Sequence, residues 1–175
     1  MPQRKSIRLK GYDYSQAGAY FVTVCTQDRL CHLGEIAGGE VRLNMRGEMI
    51  ERQWKRVGLK FPDVQLDEHI VMPNHFHATV LLVGADPCVC PGRMGAHTGA
   101  PLHRVVQWFK TMTTNECIHG VRELGWPPFH GRLWQRNFHE RVIRNEEELR
   151  RIREYILNNP VDWDRDEENP ECMVS

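Results

Sequence analysis

Stretches rich in β-branched and aromatic residues recur through the first half of the chain and return once near its end. Ala19 to Thr26 is dominated by such residues, which is typical of a buried strand. Two short runs flank Gly38-Gly39, a pair that favours a hairpin turn. Two longer runs flank Pro73-Asn74 and are predicted to pair as antiparallel neighbours. The predicted strands are residues 19–26, 33–36, 40–43, 64–72, 76–83 and 133–143.

Three other segments repeat apolar residues at intervals of three and four, which predicts amphipathic helices. Asn44 is suited to be the N-cap of the first. The last begins after Asn145, where Glu148 three residues further on completes a capping-box pattern, and it must stop at Pro160. Residues 84–101 contain four glycines and three prolines and are predicted to form a long loop. The predicted helices are residues 44–57, 102–116 and 145–159.

This order of elements predicts an α+β sandwich, in which helices pack on an antiparallel sheet. A chain of 175 residues with 41% hydrophobic and 26% charged residues suits one globular domain. No apolar stretch approaches the roughly 18 residues that span a bilayer, and the basic N-terminus leads into no apolar signal segment. We therefore expect a cytoplasmic protein. Its six cysteines have no repeated spacing, which favours free thiols over a disulfide framework.

Charge is balanced overall, with 23 basic and 23 acidic residues, but it is unevenly distributed. The segment from Asp162 to Glu171 holds six acids against one arginine, and without it the rest of the chain is net basic. A net basic domain suits a nucleic-acid partner. The alternative is that the charged residues at both termini are simply exposed to solvent. We expect a domain of residues 1–163 followed by an acidic C-terminal tail of residues 164–175. The first ten residues hold four basic side chains and no acid: Arg4, Lys5, Arg8 and Lys10.

His75 and His77 stand at positions i and i+2 of a predicted strand, so both imidazoles project from one face while Phe76 points into a core. Two imidazoles on one face can bind one metal ion, which needs a further protein ligand and open positions for substrate. Asn159 can supply an amide oxygen, and His69 and His139 on neighbouring strands are competing candidates. The alternative is that both histidines are polar residues on the solvated face of a strand.

Tyr155 lies on the last predicted helix with Asn159 one turn further on, at the border of the apolar stripe. A tyrosine can act as a nucleophile that forms a covalent intermediate, and a nearby cation eases loss of its phenolic proton. The alternative is an amphipathic tyrosine that packs its ring at the edge of the core.

Three strings of the sequence carry a family resemblance in their order along the chain. They are Val71-Met72-Pro73-Asn74-His75-Phe76-His77, Leu133-Trp134-Gln135-Arg136-Asn137-Phe138, and Asn145-Glu146-Glu147-Glu148-Leu149 through Tyr155-Ile156-Leu157-Asn158-Asn159-Pro160. From about Arg4 to Trp163 the chain resembles the REP-associated tyrosine transposases, which are single-tyrosine HUH endonucleases related to small insertion-sequence transposases. Phe138-His139 stands where many relatives have tyrosines.

The resemblance implies an RRM-like, ferredoxin-like fold with the histidine pair on a central strand and the nucleophile on a late helix. It implies that His75, His77 and Asn159 bind Mg²⁺ or Mn²⁺. Tyr155 would attack the scissile phosphate of single-stranded DNA, leaving a 5′-phosphotyrosine and a free 3′-hydroxyl. Neither a nucleotide cofactor nor a membrane partner is implied, and we expect a monomer or homodimer.

The implied substrates are hairpins formed by repetitive extragenic palindromes. Basic residues near the site and at the N-terminus are expected to follow the DNA backbone. Trp134 is expected to stack on an unpaired base, although it can equally belong to the core. Two other functions stay open, a hairpin-binding regulator that no longer cleaves and a metal-dependent phosphoesterase that uses water. The expected backbone contacts are Arg4, Lys5, Arg8, Lys10, Arg136, Arg141 and Arg144.

Overall fold

The computed structural model describes residues 18–83, 102–166 and 168–169. The predicted loop of residues 84–101 and the basic N-terminal segment lie outside these ranges. Within them the strands are β1 (Gly18–Cys25), β2 (Gly34–Ala37), β3 (Glu40–Leu43), β4 (Val64–Val71), β5 (His75–Leu82) and β6 (His139–Ile143). The helices are α1 (Met45–Lys60), α2 (Leu102–Glu123) and α3 (Glu146–Asn158), with short 3₁₀ turns at Gln27–Arg29 and Trp163–Arg165.

Four strands form one antiparallel sheet in the order β4-β5-β1-β6, and β2 and β3 form a separate hairpin. Without that hairpin the chain follows a β-α-β-β-α-β path, which is the ferredoxin-like arrangement. The predicted α+β class and antiparallel sheet are therefore confirmed. β1 and β5 occupy the centre of the sheet, so the strand that carries the histidine pair is flanked on both sides.

The two faces of the sheet pack against different helices. On one face Phe76 of β5 meets Trp54 of α1 and Phe109 of α2, with ring centroids 4.9 and 5.0 Å away. On the other face Ile152 and Ile156 of α3 form a smaller cluster with partly buried strand residues. Because side chains alternate along a strand, the histidines next to Phe76 face α3.

Two elements differ most from their predicted bounds, each for a local reason. Only residues 139–143 of the predicted strand 133–143 belong to the sheet, and Trp134 makes an isolated bridge with Thr26. The Lys110 ammonium draws the carbonyls of Gln135 and Arg136 toward α2, at 2.7 and 3.1 Å. Helix α2 continues to Glu123 because small buried residues, among them Gly120 packed under Trp126, extend its inner face.

Two glycines on α1 are expected to respond oppositely to alanine. A β-carbon at Gly47 would overlap the carbonyl oxygen of Leu33, whereas at Gly58 it would meet Leu66 at an ordinary 3.6 Å. We expect Gly47→Ala to lower the free energy of unfolding by about 1–3 kcal/mol through overpacking. Gly58→Ala should raise it by up to about 1 kcal/mol through helix propensity. Urea unfolding measures both, and a Gly47→Ala protein of unchanged stability would contradict the close approach of Leu33 to α1.

Candidate metal centre and tyrosine

The histidine pair lies where the strand pattern predicted, on the face of β5 that looks toward α3. His77 is paired with Thr23 of β1 and His75 with Cys25, and both imidazoles are buried. Their ring centroids are 4.4 Å apart. The prediction that both rings share one face with Phe76 opposite is therefore confirmed, and the solvated alternative is wrong.

Asn74 fixes the tautomer of His75. Its Nδ2 donates to the carbonyl oxygens of Arg29 and Glu168, so its Oδ1 is the atom that accepts from His75 Nδ1, at 2.9 Å. The proton on Nδ1 leaves a lone pair on Nε2, which is buried and has no hydrogen-bond partner in the described residues. A metal-binding histidine commonly holds its second nitrogen in this way.

His77 is held similarly by the hydroxyl of Thr23, whose Oγ1 lies 2.8 Å from Nδ1. Its Nε2 consequently faces the helix. Burial lowers the pKa of both histidines, and for His77 the neighbouring His75 lowers the pKa further. For His75, nearby Asp166 and Glu168 oppose the shift. Both imidazoles are thus neutral at pH 7, the form that binds metals.

These pKa shifts predict acid destabilisation of the metal-free protein. Because the unfolded chain binds protons near pH 6.5 while the folded histidines resist them, stability is full above pH 6.5 and falls as the pH drops toward the folded-state pKa values. Each histidine contributes at most about 1.4 kcal/mol per pH unit. Unfolding with chelator between pH 7.5 and 5 measures this. The double variant His75→Gln/His77→Gln should show a shallower slope, and an equal slope would contradict the assignment.

Asp166 joins the histidine pair from the segment after α3. One ligand atom from each of His75, His77 and Asp166 lies within 4.8 Å of the others. The carboxylate is fixed by Asn159 Nδ2 at 2.7 Å and by the backbone N–H of Glu168 at 2.7 Å. The cluster therefore combines two neutral imidazoles with one oriented carboxylate, a donor set suited to a divalent cation.

Asn159, the predicted third ligand, is the C-cap of α3 and is buried beside this cluster. Its amide nitrogen is committed to Asp166, while its Oδ1 has no hydrogen-bond partner in the described residues. A buried amide oxygen beside two imidazoles and a carboxylate is able to coordinate an ion. Asn159 is therefore close to the position predicted for it, with Asp166 as an additional oxygen donor.

The segment that carries Asp166 is packed onto the domain. Trp163 stacks on His75 with ring centroids 6.0 Å apart, and Glu168 forms an ion pair with Arg29 at 3.0 Å. Asn169 Nδ2 also donates to the carbonyl of Trp163. Packing thus continues past residue 164, where the acidic tail was expected to begin.

Tyr155 approaches the cluster from α3. Its hydroxyl oxygen lies 3.5 Å from His77 Nε2, and its ring meets Phe21 edge-on at 6.0 Å. Tyr155 is 47% exposed. The site therefore pairs a partly exposed phenol with a buried set of metal-ligand atoms.

Two sets of contacts hold α3 in place over the sheet. Asn145 caps the helix as predicted, accepting from the N–H of Glu148, while the Glu148 carboxylate accepts from the N–H of Arg144. Arg153 makes two hydrogen bonds to Asp67 of β4, at 2.8 and 3.0 Å. These contacts orient the helix, and with it Tyr155, relative to the histidines.

The competing histidines lie elsewhere. His69 pairs with Ala78 across a bulge in β4 and points to the opposite face, toward Trp54. His139 is on the correct face, separated from His77 by Thr23, but is exposed and lies outside the ligand cluster. Neither is therefore placed to complete the site.

A cavity of about 850 Å³ opens in front of Tyr155 and His77, between α3 and β6. Arg141 and Arg151 line it and are ion-paired with Glu148 and Glu147. The Arg151–Glu147 pair is exposed on both sides, whereas Glu148 is mostly buried and also accepts from the N–H of Arg144. Exposed ion pairs contribute little to stability. Asp166 lies at the floor of this cavity, among its lining residues.

The expected DNA contacts fall into three groups. Arg141 lines the tyrosine cavity, and Arg136 and Arg144 are exposed. The expectation that Trp134 stacks on an unpaired base is corrected, because the residue is only 3% exposed. Its indole N–H donates to Thr113 at 2.9 Å, which makes it a core residue. The four N-terminal candidates, Arg4, Lys5, Arg8 and Lys10, lie outside the described residues.

Fold and site together define an α+β sandwich in which a central strand presents neutral imidazoles to a helix-borne tyrosine. No established family model matches the sequence. An uncharacterized protein of Haemophilus influenzae is 32% identical over 172 residues, which is 94% of this chain and 92% of the relative. The chain belongs to the same family as that protein.

A solved structure is also similar, that of a REP-associated tyrosine transposase bound to a REP hairpin. The match has a TM-score of 0.58 and 22% identity, and it covers 93% of this chain and 74% of the transposase chain. The fold that the resemblance implied is therefore confirmed. No helix in the described ranges is long and apolar enough to cross a membrane.

Proposed function

We propose that this protein is a single-tyrosine DNA transposase of the REP-associated kind, a metal-dependent endonuclease and strand transferase that acts on hairpin-bearing single-stranded DNA. The observation that carries the proposal is the position of Tyr155, whose hydroxyl lies 3.5 Å from the Nε2 of His77, one of the candidate ligands. A nucleophile beside a cation site is the arrangement that phosphoryl transfer requires.

In the proposed reaction Tyr155 Oη attacks the scissile phosphorus. The Oη–P bond forms and the P–O3′ bond breaks, with its electron pair going to the 3′ oxygen. The phenolic proton is released and the 3′ oxygen takes up a proton, so no water or nucleotide cofactor is consumed. The phosphodiester energy is kept in the phosphotyrosine bond, which allows rejoining to another strand.

His75, His77 and Asp166 would hold the divalent cation, with the amide oxygen of Asn159 beside them. We propose Mg²⁺ or Mn²⁺, since oxygen donors suit both ions and the imidazoles favour Mn²⁺ over Mg²⁺. When bound, the ion supplies charge neutralisation at the phosphate and lowers the cost of forming a phenolate. Thr23 and Asn74 orient the two imidazoles, and Asn74 also keeps the proton of His75 on Nδ1.

A hairpin substrate is supported by the resemblance in motifs and by the similar structure, which is that of a transposase bound to a REP hairpin. Arg141 and Arg151 at the tyrosine cavity would exchange their carboxylate partners for DNA phosphates. The exposed Arg144 and Arg136 would add further cationic contacts to the DNA backbone.

The test is incubation of the full chain with end-labelled single strands carrying palindromes from the same genome, with Mn²⁺, Mg²⁺ or chelator, followed by a denaturing gel. We expect a metal-dependent covalent adduct and a free 3′-hydroxyl fragment. Binding without an adduct would overturn the proposal in favour of a hairpin-binding regulator. Cleavage to a free 5′-phosphate without any adduct would overturn it in favour of a hydrolase that uses water.

A further inference from the structure

A second cavity, of about 340 Å³, lies where the N-terminus of α1 meets the segments before β2 and after α2. Its volume is near the lower end of the usual range for small-ligand sites, about 300–1,000 Å³. Met45, Trp126 and Pro127 give it apolar walls, and no carboxylate is among its lining residues. It shares no lining residue with the cavity in front of Tyr155, so it is a separate site.

Arg46 supplies a buried positive charge at this cavity. The residue is 5% exposed, and no carboxylate of the described ranges lies within ion-pair distance of its guanidinium. Its Nη2 donates to the carbonyl oxygen of Pro127, and the group lies 5.7 Å from the ring centroid of Phe129. Glu116 of α2 accepts instead from Gln53. Because a buried charge without an opposite charge is costly, this guanidinium calls for an anionic partner.

Two buried N–H groups at this cavity have no hydrogen-bond partner in the described residues, the Nε of Arg46 and the indole nitrogen of Trp126. Both residues are more than nine-tenths buried. The positive end of the α1 dipole, at Asn44 and Met45, points to the same place. Burial and the nearby Arg46 hold the pKa of His32, another lining residue, below its usual value. Charge and unpartnered donors therefore both favour an anion here.

We propose that this cavity binds the carboxylate of a small organic acid, with Arg46 and Trp126 donating to its two oxygens and Met45 and Pro127 against its carbon body. Two unpartnered donors match the two oxygens of a carboxylate, whereas a phosphate would leave further oxygens without donors. The apolar walls favour an organic acid over an inorganic anion. The proposal does not rest on the function proposed above, because the ligand would lie apart from Tyr155 and the histidine pair.

Thermal unfolding of the full chain at constant ionic strength tests this site, with sodium benzoate and sodium isovalerate as probes and neutral benzamide as the matched control. At about ten times its Kd, benzoate should raise the Tm by about 3 °C or more, and benzamide by less than about 1 °C. Arg46→Met removes the buried charge but keeps an unbranched side chain, and it should abolish the benzoate shift. Arg52→Met, at an exposed position of α1 outside the cavity, should keep the full shift.

Met45 provides a second test that does not disturb the core, because this residue is 59% exposed at the rim of the cavity. Met45→Glu places a negative charge there and Met45→Lys a positive one. We expect the glutamate variant to bind benzoate at least about fivefold more weakly than the lysine variant, as measured by isothermal titration calorimetry. Equal affinities of the two variants would contradict an anion site.

Four other results would overturn the proposal. The first is an unchanged Tm with both carboxylates, and the second is an equal shift with benzamide, which would leave only an apolar pocket. The third is a larger shift with inorganic phosphate than with benzoate. The fourth is weaker binding of a labelled hairpin by Arg46→Met in fluorescence anisotropy, which would assign the cavity to a DNA phosphate. Adduct formation is measured separately, and its presence or absence leaves this site unaffected.

Discussion

Replacement of Tyr155 by phenylalanine is expected to abolish the covalent protein–DNA adduct, a loss of at least about a thousandfold in the rate of strand cleavage. The variant loses only the hydroxyl that lies 3.5 Å from His77, and it keeps the ring that packs against Phe21 and His77. Because this side chain is half exposed, we expect hairpin affinity to change less than about threefold and stability by less than about 1 kcal/mol. Adduct yield on a denaturing gel and anisotropy measure the two effects.

Tyr20→Phe is the matched control for this experiment. Tyr20 is buried in the face of β1 that packs on α1 and α2, away from the candidate site. Because Tyr20→Phe removes a hydroxyl from a buried side chain, the variant should be less stable than the parent. It should still form the adduct. If the adduct persisted in Tyr155→Phe and was lost when another tyrosine was replaced, that other tyrosine would be the nucleophile. Of the proposal, only the metal cluster would then stand.

The parts of the site that could be predicted are those carried by local geometry. An i, i+2 spacing on a strand fixes which side chains share a face, so His75 and His77 were assigned correctly from the sequence. The same holds for the Asn145 cap, because capping depends on residues within one turn. Tyr155 and Asn159 were likewise placed on one side of α3 by the helical repeat alone.

His69 shows where residue spacing along a strand fails to predict the face on which a side chain lies. Continuing the pairing of Leu66 with Val80 would set His69 opposite His77, on the metal-binding face. The bulge between Leu66 and His69 shifts the register by one residue, pairs His69 with Ala78, and turns its ring into the core. A one-residue shift reverses every side chain beyond it, and nothing in the alternation of β4 specified that shift.

Asp166 could not have been predicted for a different reason. It is one of six acids between Asp162 and Glu171, and the sequence gives none of them a distinguishing feature. Its role depends on the turn after α3, where Trp163 stacks on His75 and the chain returns toward the sheet. Likewise Trp134 is aromatic in a polar run, and its place in the core follows from long-range contacts with Phe109 and Thr113 of α2.

Removal of a candidate ligand should weaken binding of Mn²⁺ by the DNA-free protein. We expect His75→Ala and His77→Ala each to lower the affinity by at least about a hundredfold, because each deletes a buried, neutral donor. Asp166→Asn should lower it by about ten- to a hundredfold, and Asn159→Ala by a similar factor, since Asn159 orients the Asp166 carboxylate at 2.7 Å. Isothermal titration calorimetry with MnCl₂ measures these affinities independently of cleavage.

The two competing histidines supply the controls, and they separate a built site from a general effect of imidazole loss. His69→Ala removes a partly buried ring on the opposite face and should reduce stability while leaving Mn²⁺ affinity unchanged. His139→Ala removes an exposed ring from the tyrosine cavity and should also leave the affinity unchanged. If His139→Ala weakened Mn²⁺ binding as strongly as His75→Ala does, the ion would lie toward β6, and the cluster of His75, His77 and Asp166 would not be the metal centre. If Asp166→Asn alone had no effect, the oxygen donor would be Asn159, as the family resemblance implied.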